Sequence, residues 1–116
     1  MNNGNTPLWR RRASDQHRFN GTLFVADDLP AFAGHFPGNP LLPGVVQIDW
    51  AISAAAETYA DLPDTVFSGM SRIKFKTPVR PGSWLELELT RAADTVSFVY
   101  RYEAAICTEG RLHYRV

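Results

Sequence analysis

The sequence predicts an α+β domain of two layers, one long apolar helix lying on an antiparallel sheet. Its middle holds one helical stretch, Gly44 to about Ala60, that is apolar nearly all round. The residues beyond it alternate apolar and polar with period two in four separate runs. The chain has 116 residues, 45% hydrophobic and 21% charged, which is the size and composition of one globular domain, 1–116.

The elements follow in order. Residues 1–16 read as a polar lead-in and are expected to be a flexible N-terminal segment. A short strand is expected from Arg18 to Val25, with Gly21 a candidate bulge. Asp27 to Pro43 is a long irregular segment rich in proline and glycine. Loops of this length inside a compact domain are functional or disordered, and this one is too apolar for disorder. Pro43-Gly44 opens the helix, because proline is tolerated in a first turn where its missing N–H has no partner anyway. Val45, Val46, Ile48, Trp50, Ala51, Ile52, Ala54, Ala55 and Ala56 make it apolar on more sides than one small sheet covers, so a second subunit is expected against it. Leu62-Pro63 ends it.

Four half-buried strands come next. Ile73 and Phe75 interleave with Arg72, Lys74 and Lys76. Leu85, Leu87 and Leu89 interleave with Glu86 and Glu88 after a Pro81-Gly82 turn. Val96, Phe98, Tyr100 and Tyr102 form a third run, and Leu112, Tyr114 and Val116 a fourth. Such alternation belongs to an antiparallel sheet with one wet face.

Composition excludes several classes. Twelve basic and twelve acidic residues cancel, so no nucleic-acid partner is expected. Cys107 is the sole cysteine and cannot form an internal disulfide, which excludes a secreted disulfide scaffold. Leu29–Ile48 carries no charged residue, but its four prolines and three glycines would interrupt a membrane-spanning helix. Met1–Pro7 is polar and Arg10–Arg12 follow, unlike a signal peptide, so a soluble cytoplasmic protein with no membrane span is expected. His17, His113 and Cys107 lack metal-ligand spacing, and no glycine-rich nucleotide loop is present. Neither metal nor other cofactor is expected.

The chemistry concentrates in the sixteen residues Gly34–Asp49. His35 lies in a proline-stiffened loop, the Pro43-Gly44 helix start comes nine residues after it, and Asp49 fourteen. An imidazole titrates at ~6.5 and serves as a base at neutral pH. Asp49 lies between Ile48 and Trp50 on the apolar helix, where a carboxylate must be paired, hydrated or protonated, and a protonated carboxyl is an available acid. The N–H groups of Gly44 and Val45 precede the first intrahelical acceptor and carry the positive end of the helix dipole. They suit a carbonyl oxygen that gains negative charge. Glycine at 44 lets a ligand approach the backbone. Base, acid and oxyanion donors together suit proton abstraction beside a carbonyl with loss of a leaving group. Gln47 reads as a polar spacer or interface hydrogen-bonder rather than a catalyst.

The run His35-Phe36-Pro37-Gly38-Asn39-Pro40-Leu41-Leu42-Pro43-Gly44-Val45-Val46-Gln47-Ile48-Asp49 resembles the active-site signature of the hotdog-fold 3-hydroxyacyl-[acyl-carrier-protein] dehydratases. Ile73-Lys74-Phe75-Lys76-Thr77-Pro78-Val79-Arg80-Pro81-Gly82 is similar to that family's second shared segment, and the likeness runs from about Phe19 onward. The short chain resembles the small dehydratases of aryl polyene gene clusters. This resemblance implies a hotdog fold, a sheet wrapped around one central helix, in a homodimer or a heterodimer with a related hotdog subunit. It implies a site shared between protomers, His35 from one and Asp49 from the other. There His35 removes the Cα proton, Asp49 protonates or orients the departing hydroxyl, Gly44 and Val45 N–H polarise the thioester carbonyl, and a trans-2-enoyl product forms without a cofactor.

Two positions depart from the family pattern. Asp49 stands where the fatty-acid elongation enzymes carry glutamate, as in the branch that also isomerises the double bond. Asn39 stands where many relatives have a second histidine. Phe36, Leu41, Leu42 and Trp50 are expected to line the acyl tunnel, with Phe32 bearing on its depth. Arg72, Lys74, Lys76 and Arg80 form a basic run free of acids that would dock an acidic acyl carrier protein. The alternatives are a hotdog thioesterase using the same helix start, and an acyl-thioester binding module without turnover.

Overall fold

The computed structural model describes residues 4–33 and 40–115. His35 and Phe36, named above as catalytic base and tunnel residue, lie outside the described residues. Six strands form one antiparallel sheet: β1 (Leu8–Ser14), β2 (Arg18–Phe24), β3 (Phe67–Phe75), β4 (Trp84–Ala92), β5 (Thr95–Tyr102) and β6 (Ala105–Tyr114). Their order across the sheet is β1-β2-β4-β5-β6-β3. One helix, α1 (Gly44–Thr58), packs on its inner face.

Period-two alternation places this core. Leu23 pairs with Leu85, Leu87 with Tyr100, Leu89 with Phe98 and Val96 with Leu112, and all eight side chains are buried. The helix answers with Gln47, Trp50, Ala51, Ala54 and Ala55, a buried stripe at helical spacing. The alanines let its backbone approach the sheet closely. The rest of the helix is less covered than an all-round apolar surface would suggest. Val45 is 73% exposed, and Val46, Ile48, Ile52 and Ala56 are half-buried.

Three expectations need correction. The lead-in 1–16 contains β1, an edge strand paired along β2. Its charges obscure the strand because they rest on aromatic rings: Arg12 lies 5.3 Å from the Trp9 ring and pairs with Glu57, and Arg10 lies 5.1 Å from the Trp84 ring. Gly21 is no bulge; it pairs regularly with Arg12, and the register shift falls in β1 between Trp9 and Arg11. Glycine is needed at 21 because the Trp9 and Phe19 rings fill the space a side chain would take. Finally, β3 begins at Phe67, well before the alternation that announces it, and slips register between Ser71 and Lys74, where Arg72 adopts φ 55°.

Candidate active site

The site is built around the start of α1. Pro43 caps the helix (φ −59°, ψ 144°), one residue earlier than a first-turn proline. Its carbonyl accepts the N–H groups of Val46 (3.1 Å) and Gln47 (3.3 Å). The N–H groups of Gly44 and Val45 therefore precede the intrahelical ladder, as the Pro-Gly start predicts. Ahead of the helix, the Leu42 N–H donates to the Val79 carbonyl (2.8 Å), tying the helix entry to the β3–β4 link.

These two segments enclose a cleft of about 510 Å³, walled by Leu41, Leu42, Pro43 and Gly44 on one side and Phe75, Lys76, Thr77, Pro78 and Val79 on the other, with Gln47 and Thr108 also lining it. Leu41 and Leu42, expected in the tunnel, and Gly44, expected to bind the carbonyl, thus line one cleft. Space above Gly44 is not open, however: the Phe75 ring fills the position a side chain there would need. Phe75 itself is 57% exposed, although it pairs with the buried Thr108 on the inner face.

Gln47 is buried and makes its hydrogen bonds within the protomer. Its side-chain N–H donates to the Leu42 carbonyl (3.1 Å), and its Oε1 accepts from the Thr108 hydroxyl (2.5 Å). Its backbone carbonyl accepts from the Tyr100 hydroxyl (2.6 Å). Burial pushes the Tyr100 hydroxyl far above the usual tyrosine range, and the nearby negative charge of Asp49 pushes it in the same direction. Asp49 is half-buried. It shares a helical stripe with Val45, Ile48, Ile52 and Ala56, the apolar side of α1 that this sheet leaves incompletely covered.

Other expected site residues fall elsewhere. Trp50 is not a wall of this cleft; it is fully buried, its indole N–H donates to the Asn5 carbonyl (2.8 Å), and it borders a separate cavity beneath β1. Helical geometry explains this, since position 50 falls on the sheet-facing stripe with Gln47 and Ala54. The basic residues are divided. Arg72 and Lys74 line a shallow groove on the outer face of the sheet with Arg111 and Glu109. Lys76 reaches the cleft and also pairs with Glu109 (2.9 Å), holding that carboxyl below its usual range. Arg80 is exposed on the β3–β4 link. His113 lies beside Ser71, Oγ to Nε2 2.6 Å, and Cys107 is a buried thiol whose pKa burial raises.

Sequence reading missed Phe75, Tyr100 and Thr108 as site residues. Period-two counting back from Leu112 through Gly110 does reach Thr108 on the inner face. Its meeting with Gln47 depends on packing across 61 residues of chain.

This sheet, wrapped on one long helix with an anion-favouring helix start beside a cleft, defines a hotdog-fold protein. Among solved structures, the dehydratase heterocomplex ApeI:P from Xenorhabdus doucetiae contains a chain that matches with TM-score 0.81 and 32% identity, over 95% of this chain and 99% of that one. A protein from Erwinia carotovora subsp. atroseptica matches with TM-score 0.80 and 30% identity, over 95% and 96% of the two chains. The chain belongs to the ApeI-like family, whose model, described as ApeI dehydratase, matches residues 11–111. A 3-hydroxyacyl-[acyl-carrier-protein] dehydratase FabZ from Natranaerobius thermophilus is 39% identical over 87 residues, covering 69% of this chain and 61% of the relative. A second FabZ, from Chloroflexus aggregans, is 38% identical over 74 residues. This chain spans 61% of the first and 51% of the second.

Proposed function

We propose that this chain dehydrates 3-hydroxyacyl groups carried as thioesters on acyl carrier protein, giving trans-2-enoyl thioesters and water, in chain elongation of the fatty-acid or aryl polyene type. Asp49 carries the reading: a half-buried carboxyl on an otherwise apolar, incompletely covered stripe, one to two turns beyond the first N–H groups of α1. The FabZ relatives and the ApeI-like family model support the same reaction.

The working unit is a dimer, either of two copies or of this chain with a related hotdog subunit. A partner covering Val45, Ile48 and Ile52 would also enclose Asp49, excluding water from the reacting atoms. The thioester carbonyl accepts from the Gly44 N–H, assisted by Val45, which stabilises charge developing on oxygen. His35 takes the proton from Cα. The C3–O bond then breaks, Asp49 of the other protomer delivers a proton to the departing hydroxyl directly or through water, and a double bond forms between Cα and C3. Nothing is oxidised or reduced, so the step is balanced without a cofactor. Acidic carrier protein approaches the Lys76 and Arg80 end of the cleft, which is where the acyl chain enters. We place this reaction in the cytoplasm; no helix of the described residues is long and apolar enough to cross a membrane.

The test offers 3-hydroxyacyl chains of graded length on carrier protein and follows loss of one water by mass spectrometry. Wild type is expected to form the enoyl product, with His35→Ala and Asp49→Asn folded but ~10²–10⁴-fold slower. Free thiol release instead of enoyl would make the chain a thioesterase. Binding without product would make it an acyl-binding module.

A further inference from the structure

Three hydrogen bonds converge on Gln47 from parts of the chain far apart in sequence. Thr108 on β6 donates to its side-chain oxygen, Tyr100 on β5 donates to its main-chain carbonyl, and Gln47 itself donates to the carbonyl of Leu42 ahead of the helix. All of this is buried: Gln47 is 3% exposed, Tyr100 and Thr108 0%. In such surroundings a hydrogen bond resists rearrangement, because breaking it leaves a buried polar group without a partner.

The position of Gln47 gives the arrangement its significance. Gln47 lies three residues after Gly44 and two before Asp49. Two strands therefore grip the first turn of α1 between the Gly44 N–H and Asp49, while the bond to the Leu42 carbonyl secures the segment that enters the helix, itself bonded to Val79. Further along, the helix is also held by the Trp50 indole bond to the Asn5 carbonyl and by the exposed Arg12–Glu57 pair, but its first turn otherwise rests on apolar contacts, which fix rotation and axial position less sharply. Directional bonds fix them more sharply. Both strands are paired with each other inside the sheet, so the helix start is referred to the sheet itself.

We infer that Tyr100 and Thr108, acting through Gln47, are positioning residues that set where α1 holds the Gly44 N–H and the Asp49 carboxyl. This rests on the dehydratase reading above. Neither residue gives or takes a proton in the reaction. Their contribution is to the transition state, where donors must meet an oxygen whose place is set by the substrate and the opposite protomer, and small misplacement costs rate steeply.

The experiment measures enoyl formation from a 3-hydroxyacyl carrier-protein substrate by Tyr100→Phe, Thr108→Val, Thr108→Ser and the double variant Tyr100→Phe/Thr108→Val. Each single loss of a hydroxyl is expected to lower kcat about tenfold while KM stays within about twofold. Thr108→Ser, which keeps the donor, is expected to restore kcat to within about twofold of wild type. The double variant is expected to fall by less than the product of the single losses, because both bonds end on one residue. Thermal melts and circular dichroism confirm folding. Unchanged kcat in Tyr100→Phe and Thr108→Val overturns the inference. So does a loss that tracks melting temperature, or one that Thr108→Ser does not rescue. If Thr108→Val fails to fold, Tyr100→Phe, which leaves the cleft lining intact, decides alone. Wild type and Asp49→Asn run beside these: absence of product in wild type refutes the dehydratase reading, whereas product with no effect of the hydroxyl losses refutes the positioning role only.

Discussion

The ring of Phe75 occupies the space that a side chain on Gly44 would need. A strand end and a helix start therefore interlock, and a neighbour within the chain favours glycine at 44. Because the obstructing atoms are the far end of a partly exposed side chain, the ring can move, at the loss of its contact. Gly44→Ala is expected to destabilise by about 1 kcal/mol, the low end of overpacking effects. In a Phe75→Ala background the same substitution should cost less than half as much, read by urea denaturation of all four proteins. Equal costs in both backgrounds would show that the ring is not the obstacle.

The helix and the central strands were legible because one physical signal marks each. Leu85, Leu87 and Leu89 alternate without interruption, and Trp50, Ala51, Ala54 and Ala55 fall on one side of a helix. β1 was hidden, since Arg10, Arg11 and Arg12 look like a solvated tail until Trp9 and Trp84 supply ring faces for two of them. Trp50 is expected in the tunnel, yet one residue beyond Asp49 the helix turns the side chain by roughly 100°, onto the sheet-facing stripe with Gln47 and Ala54. The Gln47 clamp could not be read at all, because its donors lie 53 and 61 residues away and only the folded sheet brings them in.

The uncovered stripe of α1 supplies a test of assembly. Val45, Ile48 and Ile52 lie on the side of α1 away from its buried stripe, and Met70, 51% exposed, pairs with the buried Leu112 on the inner face of the edge strand β3. A second hotdog subunit covering both is expected to make the protein a dimer in solution. Val45→Glu should break it without weakening the protomer, since a carboxylate in a first helical turn is favoured by the dipole. Sedimentation equilibrium is expected to give twice the 13.0 kDa protomer for wild type, or a heterodimer when a partner is present, and the protomer mass for the variant. A variant that stays dimeric would move the interface elsewhere.

The basic residues line two separate places, which makes the proposed carrier-protein docking testable. Lys76 borders the cleft, whereas Arg72 and Lys74 line the outer groove. Lys76→Glu and Arg80→Glu are each expected to raise KM for a carrier-protein substrate about fivefold, an effect that shrinks as salt is raised. Neither should change KM for the same acyl group on free pantetheine. Lys74→Glu is expected to leave both values within about twofold. A larger effect at Lys74 than at Lys76 would place the carrier protein on the outer face of the sheet.

Tyr114 gives a stability prediction independent of catalysis. Its hydroxyl is buried with no hydrogen-bond partner among the described residues, beside Phe67 at a ring separation of 5.8 Å. Burial, which penalises the phenolate, pushes its pKa up to about 12. An acid whose folded pKa lies above its unfolded value of 10 keeps its proton longer in the folded state. The unfolded chain therefore binds fewer protons between pH 10 and 12, and stability falls as pH rises through that window. Tyr100 and Tyr59, raised by burial as well, act in the same direction. Tyr114→Phe removes an unsatisfied hydroxyl and keeps the ring, so at pH 7 it is expected to be neutral or stabilising by up to about 1 kcal/mol. Its advantage over wild type should widen above pH 10, because phenylalanine has no proton to lose. Parallel denaturation curves from pH 7 to 11 measure both effects, and an advantage that stays constant or narrows with pH would mean the hydroxyl is not held in its neutral form by the fold.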